Sequence, residues 1–107
     1  MRVLITGAAG QLGADCLYRL TRDGHECRGV DRDDFDLTNP EAVKYYVAAY
    51  RPDAIVHCAV WTQLDGAEEN PQKCADVNGM GTLNIVRACL ATGAKLVFFS
   101  SAHVFNG

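Results

Sequence analysis

Short apolar runs alternate with longer segments of helical spacing from Arg2 to Ser100. Arg2–Thr6 carries Val3-Leu4-Ile5, a compact apolar run of the kind that forms a strand buried on both faces. Gln11–Arg22 follows with Leu12, Cys16, Leu17 and Leu20 on one side of a helix, and Gly24 is placed to stop it. Glu26–Asp31 reads as a second strand. Thr38-Asn39-Pro40-Glu41 has the form of a capping box with proline in the first turn, so a helix is expected to start there. Val43, Tyr46, Val47 and Tyr50 give it one apolar stripe, and Arg51-Pro52 ends it. Ala54–Cys58 is a third strand. Asn70-Pro71 opens a long helix to Thr92, closed by Gly93, and Lys95–Ser100 is the fourth strand. A mini-strand near Phe35–Leu37 has little room beside the capping box.

The order βαβαβαβ requires a parallel sheet with right-handed crossovers. The expected fold class is α/β, a Rossmann-like parallel sheet flanked by helices, as one domain over residues 1–107. It would stop before the later strands of a complete sheet of that type. Gly79 and Gly81 interrupt the long helix, where glycine costs about 1 kcal/mol relative to alanine. Close approach of the helix to the sheet or to a cofactor would explain them.

Composition narrows the classes. Hydrophobic residues make up 49% and charged residues 21%, as in an ordinary globular domain. A net charge of −3 gives no electrostatic case for nucleic acid or for an anionic membrane. No apolar run approaches the roughly 20 residues of a membrane span. Five cysteines without a C-x-x-C pair argue against a disulfide framework or a zinc site, and the chain reads as cytoplasmic.

The candidate chemistry lies in Gly7-Ala8-Ala9-Gly10-Gln11-Leu12-Gly13, between the first strand and the first helix. Glycines allow a tight turn and a close backbone approach, and the helix N-terminus offers free N–H groups and a positive dipole end to a pyrophosphate. The spacing of Gly7, Gly10 and Gly13 is G-x-x-G-x-x-G, one residue wider than G-x-G-x-x-G. Asp31 ends the second strand 18 positions after Gly13, where a carboxylate can accept both ribose hydroxyls of an adenosine. That arrangement favours NAD(H), with NADP(H) as the alternative if the adjacent Arg32 meets a 2′-phosphate; Arg28 stands nearby in sequence.

Several segments together resemble the extended short-chain dehydrogenase/reductases. They are Thr6–Gly13, Val30-Asp31, Asp36-Leu37-Thr38, Arg51–His57, Val77-Asn78, Gly81–Ile85, and Lys95–Ser101 with Val104–Gly107. Gly10-Gln11-Leu12-Gly13, Thr62 with Asp65–Glu68, and Val104-Phe105-Asn106-Gly107 are most similar to the dTDP-4-dehydrorhamnose reductase family. The likeness spans essentially the whole chain but only about the N-terminal third of such an enzyme. It implies that the Gln11 and Leu12 amides hold the pyrophosphate and that Asp36 and Leu37 border the adenine, with the Asp36 carboxylate accepting from its amino group. It implies further that Ala59 and Val60 pass under the ribose and nicotinamide, that Thr62 faces the site mouth, and that Asn78 supports the site. Ser101 takes the position of a catalytic hydroxyl. Trp61 stands at the mouth.

The implied reaction is hydride transfer to a 4-keto nucleotide sugar in the full-length enzyme. Ala102 and His103 replace an acid and a phenol of the family pattern, which leaves the sugar open. No tyrosine has a lysine four residues on, so the Tyr-x-x-x-Lys acid of the family is absent and the isolated chain is expected to be inactive. The alternatives are a regulatory subunit like that of methionine adenosyltransferase, and an epimerase or dehydratase of the same superfamily. The open edge of the fourth strand points to self-association, as a homodimer or an aggregate.

Overall fold

The computed structural model describes residues 1–31, 33–58 and 71–98; of residues 71–78 it describes the helical backbone alone. Four parallel strands, β1 (Arg2–Thr6), β2 (Glu26–Val30), β3 (Ala54–His57) and β4 (Lys95–Phe98), lie in the order β2-β1-β3-β4. Three helices connect them: α1 (Gln11–Arg22), α2 (Pro40–Tyr50) and α3 (Pro71–Thr92). In register, Leu4 faces Arg28 and Ile55, and Val56 faces Ile5 and Val97.

Right-handed crossovers decide where the helices go. The step from β1 to β2 runs one way along the sheet, and the steps to β3 and β4 run the other way. Accordingly, Cys16, Leu17 and Leu20 of α1 pack on Val3, Ile5 and Val56 on one face. On the other, Val43 and Val47 of α2 and Ile85, Ala88 and Cys89 of α3 pack on Leu4, Val30 and Ile55. The expected stripe of α2 is the one buried, with Tyr46 and Tyr50 at its margin. Leu12, expected on the buried side of α1, is instead exposed: it stands in the first turn, at the end of the strands.

Three boundaries move for local reasons. The cap of α2 is Asn39 rather than Thr38: the Asn39 side chain accepts from the amides of Glu41 and Ala42, while the Thr38 hydroxyl donates to Asp36 Oδ1. Strand β2 stops at Val30 because the Asp31 amide leaves the ladder and donates to Asp34 Oδ2 at 2.8 Å. Strand β3 stops at His57, although the Cys58 amide still donates to the Thr6 carbonyl at 3.2 Å. No strand forms over Phe35–Leu37. Both expected glycine stops are left-handed, Gly24 at φ 94° and Gly93 at φ 80°. Arg51, the C-cap of α2, also sits in the left-handed region at φ 55°, with its amide donating to the Val47 carbonyl.

Candidate functional site

The chain leaves β1 toward β2 and later crosses back to β3, so a crevice opens at the carboxyl ends of β1 and β3. In open α/β sheets such a switch point is where ligands bind. Gly7 turns there at φ 69°, and its carbonyl accepts from the Gly10 amide at 3.1 Å. The Ala8 amide donates to the Val30 carbonyl at 3.2 Å, tying the turn to β2. Gly10 caps α1 with extended backbone and no side-chain cap, and the first turn of α1 holds no acidic residue. The first intrahelical amide is that of Ala14, donating to the Gly10 carbonyl. Among the described residues no backbone acceptor takes the amides of Gln11, Leu12 and Gly13, as for the free first-turn amides of any helix. This donor set, with the positive end of the helix dipole, fits a pyrophosphate.

The glycines of the turn serve different ends. A Cβ on Gly13 would run into the Gly7 carbonyl oxygen and stand 2.9 Å from Ala8 Cα, so Gly13 lets α1 pack against the turn. A Cβ on Gly10 would meet only the Gly7 oxygen at 3.4 Å, an ordinary contact. Among the described residues nothing demands a glycine at Gly10. Gly29, in β2, is a requirement sequence reasoning missed. A Cβ there would stand 2.5 Å from the Ala8 side chain and 3.1 Å from Leu17 Cδ2. The available signal was a glycine inside a strand, which marks a close approach.

Asp31 comes to the turn as expected of its position after β2. Both carboxylate oxygens accept from the Ala9 amide, at 3.1 and 3.0 Å. Each keeps lone pairs for a further donor. Beyond it, Asp36 Oδ1 accepts from both the amide and the hydroxyl of Thr38, which hold this carboxyl below its usual range. The Leu37 carbonyl accepts from Asn84 Nδ2 of α3 at 2.8 Å. A Cβ on Gly81 would stand 3.3 Å from Leu37 Cβ, so the expected close approach of α3 is made at Gly81, toward this loop. At Gly79 it is not made: a Cβ there meets nothing within 4 Å among the described residues, because that glycine faces outward. Arg28 turns to α2, donating to the Tyr46 hydroxyl at 3.3 Å and lying over the Tyr50 ring.

His57 has no motif around it to suggest a role, yet it stands fully buried at the crevice. Nδ1 pairs with the Thr6 hydroxyl at 2.7 Å, and Nε2 with the Thr82 hydroxyl at 3.2 Å. Burial lowers its pKa from the usual 6.5 to about 4, so it is neutral at pH 7. The Thr6 hydroxyl also accepts from the Cys58 amide at 3.0 Å, joining β1, β3 and α3 just below the turn. Burial also pushes the Cys58 thiol up to about 12, making it a packing group rather than a nucleophile.

Arg32, Ala59, Val60, Trp61, Thr62, Ser101, Ala102 and His103 lie outside the described residues. Asn78 falls within α3, and its side chain lies outside them too. Among the described residues no group of three His, Cys, Asp or Glu is placed to hold a metal ion. No described helix is long and apolar enough to cross a membrane.

Residues 1–107 match the family model described as RmlD substrate binding domain. A dTDP-4-dehydrorhamnose reductase of Streptomyces griseus is 41% identical over 106 residues, 99% of this chain and 35% of the relative. The crystal structure of the dTDP-4-dehydrorhamnose reductase of Bacillus anthracis in complex with NADP superposes with a TM-score of 0.83 at 37% identity. That match covers 92% of this chain and 36% of that one. The UDP-glucose 4-epimerase of Thermus thermophilus in complex with NAD superposes at 0.84 with 32% identity, over 94% of this chain and 37% of that one. The chain thus spans about a third of the length of the relatives it matches.

Proposed function

This chain belongs to the RmlD substrate binding domain family, and we propose that it is the N-terminal, cofactor-binding part of an NAD(P)-dependent reductase of nucleotide sugars. The parent reaction is hydride transfer to a 4-keto sugar nucleotide, and the nicotinamide supplies the hydride. This chain's part is to hold the cofactor. The Gln11, Leu12 and Gly13 amides receive the pyrophosphate. Asp31, already fixed by the Ala9 amide, accepts the ribose hydroxyls. Asp36 and Leu37 border the adenine, Ala59 and Val60 pass under the ribose and nicotinamide, Thr62 faces the site mouth, Asn78 has a supporting role, and Ser101 presents a hydroxyl to the reacting carbonyl.

The observation that carries this reading is the contrast between Gly13 and Gly10. A Cβ on the first would run into the Gly7 backbone, whereas a Cβ on the second would meet only the Gly7 oxygen at 3.4 Å among the described residues, and that open space supports a ligand lying against the turn. The relatives bear on the substrate class: the S. griseus protein is a dTDP-4-dehydrorhamnose reductase. The relatives include both NADP and NAD complexes. Asp31 favours NAD(H), because a carboxylate set to accept two hydroxyls repels a 2′-phosphate. Arg28, engaged with Tyr46 and Tyr50, does not counter it, which leaves Arg32 as the residue that could.

Titration of the chain with NADH and NADPH, followed by calorimetry, tests the proposal. Binding is expected in the micromolar to millimolar range, with NADH tighter by about tenfold, an advantage of roughly 1.4 kcal/mol. Gly10→Val should abolish binding while leaving the circular dichroism of the fold intact. A folded chain that binds neither nucleotide overturns the reading. Tighter NADPH binding reverses the cofactor preference alone.

A further inference from the structure

Asn84 is buried at mid-helix in α3 and makes one hydrogen bond, from Nδ2 to the Leu37 carbonyl. Its Oδ1 is buried as well, with no partner among the described residues. A half-satisfied buried amide is costly, and an apolar residue of similar volume would avoid that cost. The bond it does make fixes one point of the main chain. Leu37 lies on the segment that leaves Asp31, and that segment is tied at its start to the Ala9 amide of the phosphate turn. Asn84 therefore ties its far end to α3. Gly81 allows the approach, since any larger residue there would press on Leu37. Between the two ties lies Asp36, an exposed carboxylate. Its Oδ1 is taken by Thr38, and its Oδ2 takes no hydrogen bond from the described residues.

We propose that Asn84 is a positioning residue that sets base selectivity: by holding the Leu37 carbonyl, it places the Asp36 carboxylate to accept the exocyclic amino group of an adenine. The inference rests on the cofactor reading above. Hypoxanthine presents a carbonyl oxygen where adenine presents that amino group, and the carboxylate then faces a second acceptor. Selectivity between the two bases reports the placement of Asp36, whereas a general loss of stability weakens both ligands alike.

The test is titration of the full chain with NADH and with its hypoxanthine analogue. The unmodified chain should prefer NADH by about tenfold, the scale of one charge-assisted hydrogen bond. Asn84→Ala should bring the preference within twofold. Gly81→Ala, which pushes the same loop from its other contact and keeps the Asn84 amide, should lower the preference by a smaller factor. It also keeps the question answerable if Asn84→Ala does not fold. NADH binding with an unchanged preference in a folded variant overturns the role of Asn84. NADH binding with no preference in the unmodified chain overturns it too. Failure of the unmodified chain to bind either dinucleotide rejects the cofactor reading itself.

Discussion

At the centre of the sheet Leu4, Ile5 and Ile55 have no exposed surface, whereas at the β4 edge Val97 is 44% exposed and Phe98 47%. Both regions use large apolar side chains. The difference follows from the path of the chain. The reversal at β1 sends α1 to one face and α2 and α3 to the other, so β1 is covered from both sides. β4 receives α3 on one face, where Leu96 packs toward the core. On the other face, the side of Val97, the described residues supply no helix. Beside it, α3 presents Leu90, Met80 and Leu83 to solvent. The half that carries the glycine turn is covered by its own residues, while the β4 half shows the surface that parallel sheets normally cover.

The largest separation between the halves should come from Gly13. Gly13→Val drives a side chain into the Gly7 and Ala8 backbone, which cannot give way as a side chain can. Loss of the folded state, or of more than about 3 kcal/mol in urea unfolding, is expected. Gly10→Ala should change stability by less than about 1 kcal/mol. Equal costs for the two would break the distinction drawn between fold and ligand requirements in the turn.

A second contrast pairs the centre with the edge. Ile55→Ala is expected to cost about 2–5 kcal/mol, as for other fully buried aliphatic residues. Leu90→Ala, at a position 80% exposed, should stay within about 0.5 kcal/mol. Changing Leu90 and Val97 together to lysine should lower self-association seen by sedimentation without lowering the unfolding midpoint. A midpoint that falls as far as in Ile55→Ala would mean that the edge is already part of the core.

A further effect, spread over several pH units, is a pH dependence seated at the crevice. The unfolded chain takes up the His57 proton near 6.5 and the folded chain only near 4. Between those values the unfolded state holds more protons, so stability falls as the pH is lowered and the loss is complete below about 4. Its full extent is on the order of 3 kcal/mol. His57→Asn should flatten this part of the profile, measured as unfolding free energy from pH 7 to pH 4. An unchanged slope would show that His57 is not the group responsible.

The sequence by itself determined the element order, the parallel sheet, the glycine turn and the position of Asp31 after β2. These depend on local spacing, on right-handed crossover and on backbone chemistry that glycine and proline announce within a few residues. Tertiary structure decided what depends on contacts between distant segments. Cap selection at Asn39 turned on a competition for the Thr38 hydroxyl by Asp36. Gly29 is explained only once α1 and the turn lie against β2. The link from Asn84 to Leu37 crosses 47 residues. His57 joins Thr6 to Thr82 across 51 and 25 residues, respectively. No periodicity or motif encodes these pairings, because each donor meets its acceptor only when the crossovers stack the helices on the sheet.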